Sequence, residues 1–187
     1  MGQPLHTFYV TTPQERPDFR LVQAFLWGDE RDVDSEGNAA SPASRTWTEL
    51  YLQLREPQGE GVDITEYRVR PLTLKVSSES KNIAARAAYL LAKHTQGQVS
   101  RTASGPYEQP EALLPDIGND FDLQEAFARF RNSPFAKSTL ENPYPNLNQV
   151  GQYKVSPYSV VWRERIYRLV VTFLRLIYRR KDNDELS

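Results

Sequence analysis

Cysteine is absent from the chain's 187 residues. Disulfides, thiolate metal sites and thiol nucleophiles are thereby excluded together. Histidine is scarce as well: His6 and His94 are the only two, and they stand too far apart to form the paired spacing of a zinc site. Neither sign of charge prevails. Lys and Arg number 23 against 24 Asp and Glu, a net of −1, unlike nucleic-acid binders whose whole surface is basic. Long apolar runs are also missing. The longest, Leu169 to Leu174, is bounded by Arg168 and Arg175, far short of the ~20 residues a membrane span requires. The opening MGQPLHTFYV has no basic segment leading into an apolar run, and His6 stands where a myristoylation pattern wants Ser or Thr. The expectation is a cytoplasmic protein.

The recognisable chemical motifs are absent too. There is no Gly-rich phosphate loop, GxSxG elbow or HExxH. Asp32-Val-Asp34-Ser-Glu36-Gly37 matches the first half of a calcium loop, but position twelve, which needs a bidentate acid, is Ala43. It reads as a solvated acidic loop. The carboxylates Asp116, Asp120 and Asp122 are close enough in sequence for paired acid–base work, yet they read as loop and cap residues. His94 falls near a helix end, where a cation complements the dipole. No catalytic residue, metal or cofactor is assigned, and the chain reads as a non-enzyme.

Aromatic residues, by contrast, are plentiful: eight Phe, ten Tyr and three Trp can supply a sizeable core. Residues 6–11 alternate as a half-buried strand, with Phe8 and Val10 on one side. Thr12-Pro13-Gln14-Glu15 has a helix-start pattern, but Pro17 lies too close, so the helix is expected to begin there. It should bury Phe19, Val22, Phe25 and Leu26 and stop at Gly28. Residues 29–45 read as an acidic loop. Residues 47–55 alternate again, with Leu50, Leu52 and Leu54 inward, and 56–61 form a turn. Residues 63–77 read as one long strand whose alternation slips at Pro71, which suggests a bulge or an edge. A helix over 83–94 ends near Gly97, and 98–101 form a last short strand.

This order, βαββαβ, predicts a ferredoxin-like split βαβ α+β fold: an antiparallel sheet with helices on one face. Residues 1–102 would form this core. Residues 103–187 would be a Pro/Tyr-rich extension with two helices, packed on the core as one unit. Asp122 to Glu125 has the capping-box pattern and opens a helix to about Asn132. The segment 133–155 is rich in Pro, Asn, Tyr and Ser, with a short strand expected at 152–155.

Two surfaces are candidates for contact. The first is the stretch 158–181, expected to be helical. At ~100° per residue its apolar arc is roughly 220° wide, more than twice what a surface helix needs. Its candidate contact residues are Trp162, Tyr167, Phe173 and Tyr178 with Arg168 and Arg175, joined by Tyr144 of the Tyr/Pro-rich segment. They point to a protein-interaction module of adaptor, regulator or immunity-inhibitor type, with a protein partner or a second copy. The narrow arginine stripe also gives a weaker reading as peripheral membrane contact. The second surface is the outward sheet face, expected to carry Tyr9, Tyr51, Arg55, Arg68, Arg70 and Lys75. Aromatics among basic side chains on a sheet suit stacked RNA bases, although the diagnostic aromatic motif is missing. A further alternative is a small enzyme or ligand-binding domain with its site between sheet and extension.

Overall fold

The computed structural model describes residues 5–57 and 59–146. The stretch 158–181, the expected strand at 152–155 and six of the seven candidate contact residues (Trp162, Tyr167, Arg168, Phe173, Arg175 and Tyr178) lie outside the described residues.

Six strands form one antiparallel sheet: β1 His6–Thr11, β2 Val33–Gly37, β3 Leu50–Leu54, β4 Gly61–Val69, β5 Leu72–Ser78 and β6 Val99–Ser100. Their spatial order is β2-β3-β4-β5-β1-β6. Helix α1, Phe19–Leu26, follows β1, and α2, Lys81–Thr95, follows β5. Beyond the sheet come a 3-10 helix at Pro110–Asp116, α3 at Leu123–Asn132 and a second 3-10 turn at Pro134–Lys137.

The fold is α+β and antiparallel, but it is not ferredoxin-like. The split βαβ arrangement is a four-stranded antiparallel sheet with a single hairpin between its two helices. Here four strands, β2 to β5, run as a meander between α1 and α2, and the sheet has six strands, with β1 antiparallel to both β5 and β6. The expected single strand 63–77 is in fact the hairpin β4–β5, turning between Val69 and Leu72, which face each other across it. The parity slip at Pro71 marks this turn, because a chain that reverses restarts its alternation. Proline, lacking an N–H, sits outside the ladder. A bulge does exist, but at Tyr67, where the register shifts between Glu66 and Arg68. The other departure is β2, which lies inside the stretch expected to be a loop. With one apolar residue in five it has no alternation to detect, as befits an edge strand.

One sheet face is apolar and the other is not. Phe8 and Val10 of β1, Leu50 and Leu52 of β3, Val62 and Ile64 of β4, and Leu74 and Val76 of β5 are buried in one cluster with Val22 and Phe25 of α1 and Ile83, Leu90 and Leu91 of α2. Helix α2 is buried on nearly every side. Its Ala84, Ala85, Ala87 and Ala88 let the sheet approach from one side while the first 3-10 helix packs elsewhere against it. Ser80 caps its start, accepting from the Ile83 N–H, and Gln96 ends it in the left-handed region. The described part of the extension packs on this layer, α3 against α1. Asp122 caps α3 as its sequence suggests, but Glu125 pairs with Arg129 (2.8 Å) instead of completing the box.

The one-sided sheet makes a direct stability prediction. Ile64→Ala, on the covered face, should cost about 2–5 kcal/mol in urea unfolding. Thr65→Ala, its neighbour on the opposite face, should cost under about 0.5 kcal/mol. Comparable losses would contradict the assignment of the faces.

Candidate functional site

The outward face carries Tyr9, Lys75 and Thr65 in one cross-strand row, with Thr7, Ser77, Asp63 and Tyr51 in the next. The bulge gives Tyr67 an extra position opposite no partner, and its ring meets that of Tyr9 edge-on at 4.8 Å between centroids. Tyr67 stays 43% exposed, and the Arg68 guanidinium lies 6.0 Å from its ring centre. Tyr51 is exposed and donates through its hydroxyl to Gln53 Oε1 at 2.9 Å.

The structure thus brings Tyr9, Tyr51, Arg68 and Lys75 onto one face and adds Tyr67, which the bulge places there. It does not make that face basic. Arg55 bonds Asp34 through Nε at 2.7 Å and pairs with Asp32 at 3.5 Å. These contacts push its pKa up and, through the Arg55 hydrogen bond, hold the Asp34 carboxyl below its ordinary range. A guanidinium so matched offers little to a phosphate. Arg70 is spent in the hairpin turn, where it is exposed. Asp63 lies in the same face as the tyrosines. A shallow depression of about 480 Å³ opens there, lined by Leu5, Tyr51, Gln53, Asp63, Ser77 and Glu79 among others. Its carboxylates disfavour an anionic guest.

The carboxylates singled out in the sequence are engaged internally. Asp116 accepts from Lys81 at 2.7 Å and Arg101 at 2.8 Å. Burial alone would raise its pKa, but those two cations overcome burial and hold it below the ordinary 3.8. Asp120 meets Arg86 at 3.2 Å, and Arg86 also donates to the Ile117 carbonyl and lies 4.2 Å from the Phe121 ring centre. Asp122 is the α3 cap. The acidic residues of the half calcium motif form the β2 edge instead of a chelating loop, and Ala43 is buried. Among the described residues no group of three or more His, Asp or Glu converges to hold a metal.

His94 does sit in the last turn of α2, where its surroundings disfavour the cation that would complement the dipole. Burial lowers its pKa below 6.5, and the nearby Arg45 charge adds to this. Its ring lies 5.6 Å from that of Phe130.

The most constrained polar site was only half visible in the sequence. Asp18 is wholly buried and caps α1 by accepting from the Arg20 N–H at 3.0 Å. It also accepts from Arg20 Nε (3.0 Å) and Nη2 (2.6 Å) and from the Ser138 hydroxyl (2.6 Å). Arg20 Nη2 donates onward to the Pro143 carbonyl at 2.7 Å. The guanidinium lies 4.0 Å from the centre of the Phe135 ring and 5.3 Å from that of Tyr144. Tyr144, the one predicted contact residue among those described, is 37% exposed. A helix cap followed two residues later by Arg is legible as a local pair. Its partners lie more than 110 residues further on and are not.

Searches against family models, curated proteins and solved structures give no match for this chain. Its function must be read from its own residues.

Two partly buried groups, His94 and Asp116, predict an acid-side loss in two stages. Each has a folded pKa below its unfolded one, so each contributes stability that is present above the unfolded value and lost on acidification. Stability should fall first as pH drops below about 6.5, as the unfolded state takes up the His94 proton more readily. It should fall again below about 4 as Asp116 protonates. His94→Gln should flatten the first stage and leave the second, read by urea midpoints from pH 8 to 3. An unchanged first stage would contradict the assignment.

Proposed function

We propose that this chain is a non-enzymatic protein-interaction module, of adaptor, regulator or immunity-inhibitor type. It meets a protein partner or a second copy through the stretch 158–181 and the Tyr/Pro-rich segment before it. The observation that carries the reading is the anchoring at Asp18 and Arg20. Ser138 and Pro143 are tied to the start of α1 by buried, charge-assisted hydrogen bonds, and Tyr144 stands beside the guanidinium with part of its ring in solvent. The chain therefore enters its last forty residues from a fixed point on the body. Wound as the helix its sequence suggests, 158–181 would carry an apolar arc roughly 220° wide, far more contact surface than a solvated helix uses. The arginines Arg168 and Arg175 flank the arc's apolar residues in sequence, a composition common at protein interfaces.

The nucleic-acid reading has weaker support, because Arg55 is neutralised by Asp34 and Asp32 and Asp63 shares the tyrosine-bearing face. An enzymatic site between sheet and extension gains no support from Asp116 or Asp120, which are ion-paired there.

The test asks whether the arc belongs to this chain's own core. Full-length Trp162→Ser/Phe173→Ser is expected to keep its unfolding free energy within about 1 kcal/mol of the parent at low protein concentration. Two aromatics buried within the monomer would cost several kcal/mol, about 3–5 each. A loss of that size, independent of protein concentration, would overturn the reading.

A further inference from the structure

A further surface lies at the sheet edge formed by β2, a strand that periodicity does not reveal. β2 pairs with β3 alone, in the register Val33↔Leu54 to Gly37↔Leu50, and among the described residues its other side has no strand. The hydrogen bonds that flank it fix which way its backbone points. The Arg55 N–H donates to the Asp32 carbonyl and the Asn38 N–H to the Glu49 carbonyl. In an antiparallel ladder such bonded pairs recur every second residue. Asp34 and Glu36 therefore also turn their backbone groups to β3, whereas Val33, Ser35 and Gly37 turn theirs to the open edge.

The side chains beside this edge differ sharply between its two faces. On the helix-covered face, Ser35 and Gly37 are small and leave a notch of about 180 Å³, lined also by Phe19, Pro42, Trp47 and Leu50 and by Glu36 and Glu49. On the outward face stand Asp34 and Glu36, opposite Gln53 and Tyr51. Asp34 shares Arg55 with Asp32, so the acids here outnumber the base, and Glu36 has no ion pair among the described residues. An added strand must alternate in step with its neighbour. Its residues on the covered face would meet Phe19, Trp47 and Leu50 in the notch, and those on the outward face would meet Glu36 and the acid-rich cluster around Arg55.

We propose that the β2 edge is a docking site for an extended segment of another protein in which apolar and basic residues alternate, bound by strand addition. Charge complementarity selects this occupant. A second copy pairing β2 against β2 would oppose Asp34 and Glu36 with the same acids, which disfavours it. Backbone hydrogen bonds from Val33, Ser35 and Gly37 supply the affinity, and the notch and the acids supply the selectivity. None of the residues named for this edge belongs to the stretch 158–181, so the proposal stands or falls independently of the function proposed above.

The test uses the full chain and a capped nonapeptide of alternating Lys and Val, titrated by NMR or fluorescence anisotropy. Saturable binding is expected, with shifts confined to β2 and the notch. Ser35→Pro should abolish it while leaving the fold intact, because the N–H it removes faces the open edge and proline is tolerated there. Glu36→Lys should weaken binding at least tenfold, as should replacing each peptide Val with Ser. N-methylation of alternate peptide amides tests the same contact on unaltered protein and should likewise abolish binding. The proposal is overturned if no binding occurs at millimolar peptide. It is also overturned if the Lys/Ser peptide binds equally, which would mean charge alone. Undiminished binding of the N-methylated peptide, or by folded Ser35→Pro, would overturn it as well.

Discussion

A single buried carboxylate organises the described body. Asp18 has no contact with water, and an uncompensated charge in that position would cost several kcal/mol. It is compensated three times over: by the α1 backbone it caps, by the Arg20 guanidinium and by the Ser138 hydroxyl. Each partner fixes a different layer. The cap sets where α1 begins, and hence how Val22 and Phe25 meet the sheet. The guanidinium lies over the Phe135 ring and near that of Tyr144. Ser138 brings the chain back to α1 after an excursion of 120 residues. Trp47 closes the same region, donating its indole N–H to the Pro17 carbonyl at 2.8 Å.

From that constraint follows the way the molecule divides its surfaces. Helices, extension and polar ties gather on one side of the sheet, where Arg86, Arg101 and Lys81 lock residues 108–120 against α2 and β6. The carboxylates that sequence alone could offer for chemistry are consumed in this locking. What the body leaves accessible is of another kind: a tyrosine-bearing sheet face, a strand edge with acids beside a small notch, and a fixed point from which the last segment departs. All three suit contact with macromolecules better than turnover of a small substrate, and together they give the interaction reading its weight.

Much of the fold was legible because its periodicities are strong. The alternation of β1 and β3, the apolar positions of α1, the alanine-rich α2 and the Asp122 cap can all be read from spacing. The errors have specific physical origins. VDSEG at 33–37 carries one apolar residue because an edge strand has little to bury, so a pattern based on burial passes over it. The parity change at Pro71 has two physical meanings, bulge or reversal, and only the pairing of Val69 with Leu72 distinguishes them. A bulge there, together with a loop at 33–37, reduces the four-strand meander between α1 and α2 to two strands, which is the ferredoxin-like order. His94 was placed correctly on its helix but given the wrong charge, since burial beside Arg45 is a tertiary fact. Tyr51 and Tyr9 were put on the right face, whereas Tyr67 reached it only through a bulge that alternation cannot show.

The central claim is that the chain's late segment is held to α1 through Asp18, and the most direct measurement of that hold is amide hydrogen exchange in full-length Ser138→Ala. Losing a buried hydrogen bond to a carboxylate should release roughly 1.5–3 kcal/mol. The account predicts that amides around 134–143 exchange at least tenfold faster while those of β1 and β5 keep their protection. Unchanged exchange around 134–143, or an equal acceleration throughout the sheet, would contradict it.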